Sequence, residues 1–187
     1  MSDSLIHFTS GDTLDEAFDR FRTIVSECRL KGGRRMIRGG YACVCLSEAP
    51  LPLPNALVNP DSYSKYSPFG VLFRKQWVFE QGGRPVIYQR DAEFELLPDE
   101  LRWRHVCYDP PRVDFTWERE WRVCCAELPF DPGVATLVLP SEEWVGDLIA
   151  DHEKTEDAKW YPYSEVLDQE QLQQYREDFP WTITYLA

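Results

Sequence analysis

The first amphipathic segment follows a short strand near the start of the chain. The pattern of "LIHFTS" (5–10) predicts that strand, and apolar residues then recur at helical spacing. The positions with this spacing are Leu14, Phe18, Phe21, Ile24 and Val25. Asp12 or Thr13 is placed to cap the helix, and the glycine pair at 32–33 is predicted to end it.

Several later segments have alternating or mostly apolar residues over short runs, which predicts strands. They are "GYACVCLSEAPL" (40–51), "FGVLFRKQWVF" (69–79), "RPVIYQR" (84–90), "VDFTWEREWRVCCAEL" (113–128), "GVATLVL" (133–139) and "WTITYL" (181–186). "EQGG" joins the second and third of these as a predicted hairpin. The acidic segment 164–179 is predicted to be a helix. A strand, a helix and then mostly strands predict an α+β fold, in one domain over 1–187, with flanking helices and a mostly antiparallel, split β-sheet.

The stretch "DFTWEREWRV" (114–123) concentrates charged and aromatic side chains. As a strand it places Asp114, Thr116, Glu118, Glu120 and Arg122 on one face. The tryptophans at positions 117 and 121 are then expected on the opposite, core face. The charged face has two interpretations, a solvated edge or a catalytic carboxylate pair that Arg122 compensates. The second interpretation predicts that both glutamate side chains face a cleft.

The charge balance limits the partners that the protein can attract. The formal net charge is −12, which gives no general attraction for a phosphate backbone. The run "RLKGGRRMIRGG" (29–40) is the clear basic exception, and a solvated loop ahead of a strand is the favoured interpretation. Without an apolar run of membrane-spanning length or a signal-peptide pattern, the chain is expected to be cytoplasmic.

The six cysteines do not have the spacing of a metal site. No C-x-x-C pair is present, and in a reducing compartment the thiols are expected to be free and to act as small apolar side chains. We therefore predict that neither a structural metal nor a disulfide is needed. The sequence also lacks G-x-S-x-G, P-loop, G-x-G-x-x-G and H-E-x-x-H motifs, which removes several hydrolase, nucleotide-binding and zinc-protease classes.

Two strand ends carry unusual polar residues. His7 lies in the first strand, directly before the helix, and is either a structural histidine or a ligand-contacting one. The strand at 40–51 runs from apolar and cysteine residues into Ser47 and Glu48, which are expected at the rim of the sheet. Glu48 has the alternative role of capping a turn.

Four of these stretches together resemble a known group of proteins. "IHFTS", "VCLSEAPL", "YSPFGVLFRKQWVFEQGGRPVIY" and "FTWEREWRV" look like AbiGi-type abortive-infection proteins over roughly residues 5–125. Their order resembles, more distantly, the ADP-ribosyltransferase fold with its DarT-like and poly(ADP-ribose) polymerase branches. That resemblance implies an enzyme that holds NAD as its substrate in a cleft of a split sheet, in a phage-defence or toxin–antitoxin setting.

The same resemblance implies roles for particular residues. His7 matches a first-strand position that contacts the nicotinamide-side ribose, with Thr9 nearby. Tyr41 or Ser47 matches the second strand, and the resemblance does not choose between them. Glu120 matches the catalytic glutamate, and Glu118 lies two residues before it. The S-T-S stretch that arginine-modifying members carry is missing.

The chemistry of NAD cleavage assigns roles to further residues. Cleavage of the glycosidic bond of NAD develops positive charge on the ribose, which a fixed carboxylate stabilises. A tyrosine at position 41, 63 or 66 can stack on nicotinamide, and Arg119 or Arg122 can neutralise the pyrophosphate or pair with the glutamates.

Two other functions remain open. One is a non-enzymatic antitoxin or phage-sensing protein, because an acidic surface suits a basic protein partner. The other is a metal-dependent nuclease that uses Glu48, Glu118 and Glu120. Segments 29–40 and 52–68 are expected to be the most mobile parts and to flank the main pocket.

Overall fold

A computed structural model describes residues 3–48 and 66–186 of the chain. The strands are β1 (Ser4–Phe8), β2 (Arg29–Lys31), β3 (Val44–Ser47), β4 (Gly70–Arg74), β5 (Arg84–Pro85), β6 (Ile87–Gln89), β7 (His105–Cys107), β8 (Glu120–Val123), β9 (Glu127–Pro129), β10 (Ala135–Leu139) and β11 (Thr182–Tyr185). The α-helices are α1 (Leu14–Glu27), α2 (Lys75–Glu80), α3 (Val145–Trp160) and α4 (Gln169–Tyr175). The predicted α+β class is confirmed.

The main sheet has the strand order β11-β10-β4-β1-β3-β8-β5. All neighbours in it are antiparallel except β10 and β11, which are parallel. Two-stranded pairs β2–β9 and β6–β7 flank it. Within the described residues, β1 and β3 share a single register pair, Ile6 with Ser47, whereas β1 and β4 pair over five positions. The sheet is therefore nearly divided along the line between β1 and β3, which we call the seam.

Helix α1 covers the core face of the sheet. Thr13 caps it, its hydroxyl accepting a hydrogen bond from the backbone N–H of Glu16 at 3.2 Å. The predicted apolar stripe is confirmed for Phe18, Phe21 and Val25, which are buried, whereas Leu14 remains 38% exposed. The helix ends at Cys28 in a left-handed conformation. The prediction that the glycine pair at 32–33 ends it was wrong, because residues 29–31 leave the helix to pair with β9.

The core lies between α1 and the sheet and is rich in aromatic rings. Phe69 contacts Phe18 and Phe21, with ring centroids 5.1 and 5.9 Å apart, and Trp144 packs edge-on against Phe18. Leu137 and Val71, from β10 and β4, are fully buried beside them. Among the described residues, no helix combines the length and apolar character that a membrane crossing requires.

Several predicted strands differ from the structure, and the segment 84–90 divides into β5 in the main sheet and β6 in the pair with β7. The segment 69–79 changes to helix α2 after Arg74, so β4 and β5 do not form the predicted hairpin, and β5 pairs with β8 instead. Trp77 on α2 stacks on Phe73 at 4.8 Å, and this packing favours the helix. The long strand predicted over 113–128 is shorter, as described below. The predicted strands at 133–139 and 181–186 are confirmed as β10 and β11.

Candidate active site

A cleft of about 590 Å³ opens along the seam between β1 and β3. That volume is typical of a small-molecule site. Strands β1, β3, β7 and β8 contribute to its lining, together with the loop at 35–38 and Tyr66. The polar residues that line it are His7, Arg35, Arg38, Ser47, Tyr66, Asp91, His105, Glu118, Glu120 and Arg122.

Six of the predicted site residues therefore meet in one cleft: His7, Ser47, Tyr66, Glu118, Glu120 and Arg122. Two others are not among the lining residues. The Thr9 hydroxyl is buried and donates to the carbonyl of Phe69 at 3.1 Å. Tyr41 lies outside the lining, where its ring approaches the backbone of Gly39. Tyr63 falls outside the described residues.

His7 bridges the seam with its side chain. Its Nδ1 atom lies 2.8 Å from the backbone carbonyl of Cys45. A carbonyl only accepts hydrogen bonds, so Nδ1 carries the proton and Nε2 of the neutral ring is an acceptor. Burial lowers the pKa of His7, and the Cys45 hydrogen bond only partly opposes this. The ring is accordingly neutral at pH 7.

The predicted central strand is interrupted at Arg119. Residues 116–118 form a 3-10 turn, Arg119 has a left-handed backbone (φ 47°), and regular strand begins at Glu120. Glu118 and Glu120 therefore do not share one strand face by pleating, although both line the cleft. Trp121 packs against the core as predicted, but Trp117 is 42% exposed, so the prediction that it is buried was wrong.

Glu120 and Arg122 line the cleft and form a mostly buried ion pair. Arg122 Nε donates to Glu120 Oε1 at 2.9 Å, and Nη1 donates to the carbonyls of Trp103 and His105, both at 2.9 Å. Burial lowers the pKa of Arg122, but the Glu120 carboxylate outweighs this and raises it. With Nη2 also 3.4 Å from Glu120, four of the five donor N–H groups are used inside the protein. Arg122 thus orients Glu120.

Hydrogen bonds from Ser47 on β3 and from Tyr66 hold the backbone and the side chain of Glu118. Ser47 donates its hydroxyl to the backbone carbonyl of Glu118 at 2.6 Å. The Glu118 side chain is 2% exposed and hydrogen-bonds Tyr66. Burial and the Glu118 charge raise the pKa of Tyr66 well above its usual value, so the phenol keeps its proton. The Tyr66 ring also contacts Phe8, with centroids 5.5 Å apart.

Glu48 belongs to a different cluster. It is 6% exposed and accepts hydrogen bonds from Lys75 at 2.5 Å, Arg119 at 2.9 Å and the Trp121 indole at 3.3 Å. Burial raises the pKa of Glu48, but these donors outweigh it and lower the pKa overall. Glu48 does not line the cleft, so it does not join Glu118 and Glu120 in the carboxylate cluster that a nuclease requires. Within residues 3–48 and 66–186, no three His, Cys, Asp or Glu side chains group in a way that could hold a metal ion.

The basic segment 29–40 is divided between two environments. Residues 29–31 form β2, so the interpretation of the whole segment as a solvated loop was wrong, whereas residues 35–38 flank the cleft as predicted. Arg38 is engaged, since it pairs with Asp91 at 2.6 Å and lies over the Phe94 ring at 4.4 Å. Arg35 is exposed at the cleft. The mobility of this segment stays a prediction, and most of 52–68 falls outside the described residues.

The sequence interpretation missed Arg35, Arg38, Cys45, His105 and Phe115 as lining residues. The signal for the arginines was the basic run itself, which was interpreted as solvated. Cys45 pairs with Arg122 across β3 and β8. Burial and the Glu120 charge raise the pKa of Cys45 to about 12, so it lines the cleft as a neutral thiol.

Comparison with known proteins gives one distant likeness. No protein-family model matches the chain, and no curated protein matches it, so the resemblance to AbiGi-type proteins finds no support there. Among solved structures, a DarT from Thermus sp. 2.9 in complex with NAD+ is similar, with 12% sequence identity and a TM-score of 0.44 over 98% of this chain and 94% of that chain. A likeness at this TM-score does not carry a fold or a function over to this chain.

Proposed function

We propose that the protein is an ADP-ribosyltransferase-like enzyme that binds NAD as substrate in the seam cleft and cleaves its nicotinamide–ribose bond. The observation that carries the proposal is the buried Glu120 carboxylate in the cleft, held by Arg122 at 2.9 Å and flanked by Ser47 and Glu118. A carboxylate fixed before the reaction stabilises developing positive charge without reorganising.

The arrangement suits the charge changes of this reaction. As the C1′–N bond breaks, nicotinamide leaves with the bonding electrons and the ribose becomes oxocarbenium-like. Arg122 occupies only some of the acceptor sites of Glu120, and a carboxylate offers about four. The remaining sites can accept hydrogen bonds from ribose hydroxyls. The acceptor then attacks C1′ and loses a proton.

The other lining groups fit the remaining parts of NAD. Nε2 of the neutral His7 ring can accept a hydrogen bond from a ribose hydroxyl, since Nδ1 donates to the carbonyl of Cys45. Tyr66 and Phe115 offer aromatic surfaces for nicotinamide. Arg122 is nearly saturated, so the diphosphate is better assigned to Arg35 at the cleft, where an exposed guanidinium is available.

The test measures nicotinamide release from NAD by wild type, Glu120→Gln and Glu153→Gln, each with its melting temperature. Glu153 is exposed on α3 and serves as the matched control. Glu120→Gln keeps the shape but removes the charge, so its release should fall by roughly a hundredfold or more. The Glu153 variant should release nicotinamide like wild type.

Two outcomes would contradict the proposal. Equal release from wild type and Glu120→Gln would remove Glu120 from the chemistry. A wild type that neither binds NAD nor releases nicotinamide would favour the non-enzymatic alternative, a defence protein that binds a protein partner.

A further inference from the structure

Two cysteines lie opposite each other where β3 and β8 meet. The antiparallel register ends with Val44 opposite Val123, and one position beyond it the side chains of Cys43 and Cys124 hydrogen-bond to each other. The thiols are free in this structure. Cys43 is 2% exposed, whereas Cys124 is exposed to solvent.

The hydrogen-bond pattern identifies the kind of pair that these cysteines form. The carbonyl of Glu120 accepts from the N–H of Val86, on the side away from β3, so Ser47 and Glu120 form a non-hydrogen-bonded pair. Pair types alternate along an antiparallel ladder, so Cys43 and Cys124, four positions further on, are also a non-hydrogen-bonded pair.

The backbone of Cys43 supports this assignment independently. Its N–H and C=O both bond to Gly33 at 2.9 Å, on the side away from β8. Opposed residues of a non-hydrogen-bonded pair have Cα atoms about 4.5 Å apart. A disulfide requires roughly 4.4–6.8 Å.

The faces of the sheet select Cys124 over its neighbour Cys125. Val44 and Val123 belong to the core, so the residues next to them along each strand point to the other face. Cys125 packs against the core, and its thiol lies 3.8 Å from the carbonyl of Val123. Burial, with a contribution from the Cys124 thiol, raises the pKa of Cys43 to about 12.

We propose that Cys43 and Cys124 are a thiol modification site, a pair that hydroperoxides oxidise to a cross-strand disulfide. The exposed Cys124 thiol attacks the peroxide O–O bond, which gives Cys124 sulfenic acid and releases water or an alcohol. The Cys43 sulfur then attacks the Cys124 sulfur, the S–O bond breaks, and a second water leaves. A dithiol returns two electrons and two protons and restores both thiols.

The test treats the folded full-length chain with hydrogen peroxide at low protein concentration and maps the disulfides by mass spectrometry without reduction. Trypsin leaves two cysteines in each of the relevant peptides, 39–65 and 123–154. The Cys45→Ser/Cys125→Ser double variant therefore isolates Cys43 and Cys124, and it should still form the link. Cys43→Ala should form no link and should leave a Cys124 sulfenic acid that dimedone traps.

Stability gives a second readout. The link joins distant positions of the chain, so oxidation should raise the melting temperature by roughly 5–10 °C, reversibly with a dithiol. A link between Cys124 and Cys125, or irreversible oxidation of Cys124 with no link, would overturn the proposal. A link that lowers the melting temperature would also overturn it, because the native geometry would then not accommodate the bond.

Discussion

The Arg122 guanidinium and the Glu120 carboxylate lie 2.9 Å apart, two positions apart on β8, and their side chains are only 5% and 12% exposed. Arg122 also donates to the carbonyl of Trp103, in the 3-10 turn at 99–104, and to that of His105, the first residue of β7. One side chain thus joins the site to the strand pair β6–β7. The position of the Glu120 carboxylate depends on this side chain.

Removing Arg122 should cost stability. Arg122→Met leaves Glu120 and two carbonyls without their buried donor, so the free energy of unfolding should fall by about 3–5 kcal/mol. Urea unfolding measures this. The control is Arg112→Met, which removes an exposed arginine paired with Asp109. It should change the free energy of unfolding by less than about 1 kcal/mol. The double variant Glu120→Gln/Arg122→Met should lose less unfolding free energy than the two single variants lose together. Strictly additive losses would refute the coupling between the two residues.

Arg35 should contribute to NAD affinity. Arg35→Ala removes an exposed guanidinium at the cleft, so the Kd for NAD should rise by roughly tenfold. Arg34→Ala removes the same charge one position away, where the guanidinium donates to the carbonyl of Gly40 at 3.2 Å. Calorimetric titration of the Arg34→Ala variant should give a Kd for NAD close to the wild-type value. An equal effect of both variants would mean that only the general field of the basic segment matters.

The lowered pKa of His7 predicts a pH dependence of stability. The folded pKa lies below the unfolded value of 6.5, so the unfolded chain binds the proton more readily. The contribution of neutral His7 is therefore complete above pH 6.5 and is lost as the pH falls from there towards the folded pKa.

Urea unfolding at about pH 7.5 and about pH 5.5 tests this, with wild type expected to lose more stability than His7→Gln. His105, whose pKa burial also lowers, remains in both proteins. His152→Gln, on α3 outside the cleft lining, is the matched control. The idea fails if the His7 and His152 variants show the same pH dependence as wild type.

The N-cap of α1 should contribute measurably to the free energy of unfolding. Thr13→Ala removes the oxygen that accepts from the N–H of Glu16, so the free energy of unfolding should fall by about 1 kcal/mol. Thr13→Ser keeps a hydroxyl and should retain most of the stability. If serine were as destabilising as alanine, the methyl group of Thr13 rather than its oxygen would be responsible.

The local pattern of apolar and polar residues was sufficient to predict the elements whose buried positions recur at one regular spacing. Helix α1 follows from its apolar stripe and from a cap at Asp12 or Thr13, and β10 from a short run that is apolar except for Thr136. The alternation of Glu120, Trp121, Arg122 and Val123 assigned these residues to the correct faces, because a strand alternates its side chains whatever it pairs with.

Local pattern failed where a contact from another part of the chain outweighed it. Residues 75–79 were predicted to continue the strand that begins at Phe69, yet Trp77 packs on Phe73 as part of a helix. Arg119 adopts a left-handed backbone while its side chain pairs with Glu48 and its carbonyl accepts from the Glu48 N–H, a partner 71 positions away.

By itself, the sequence determined the α+β class, the apolar stripe of α1, the strands β10 and β11 at one end of the sheet, and residue types that the cleft contains. Only the tertiary structure decided which of them meet. The seam exists because β1 and β3 pair at Ile6 and Ser47 and then part, and His7 contacts Cys45 with its ring. Strand register and side-chain pairing across 38 to 73 positions set the cleft and the neighbouring Glu48 cluster, and no short stretch of sequence encodes contacts at that separation.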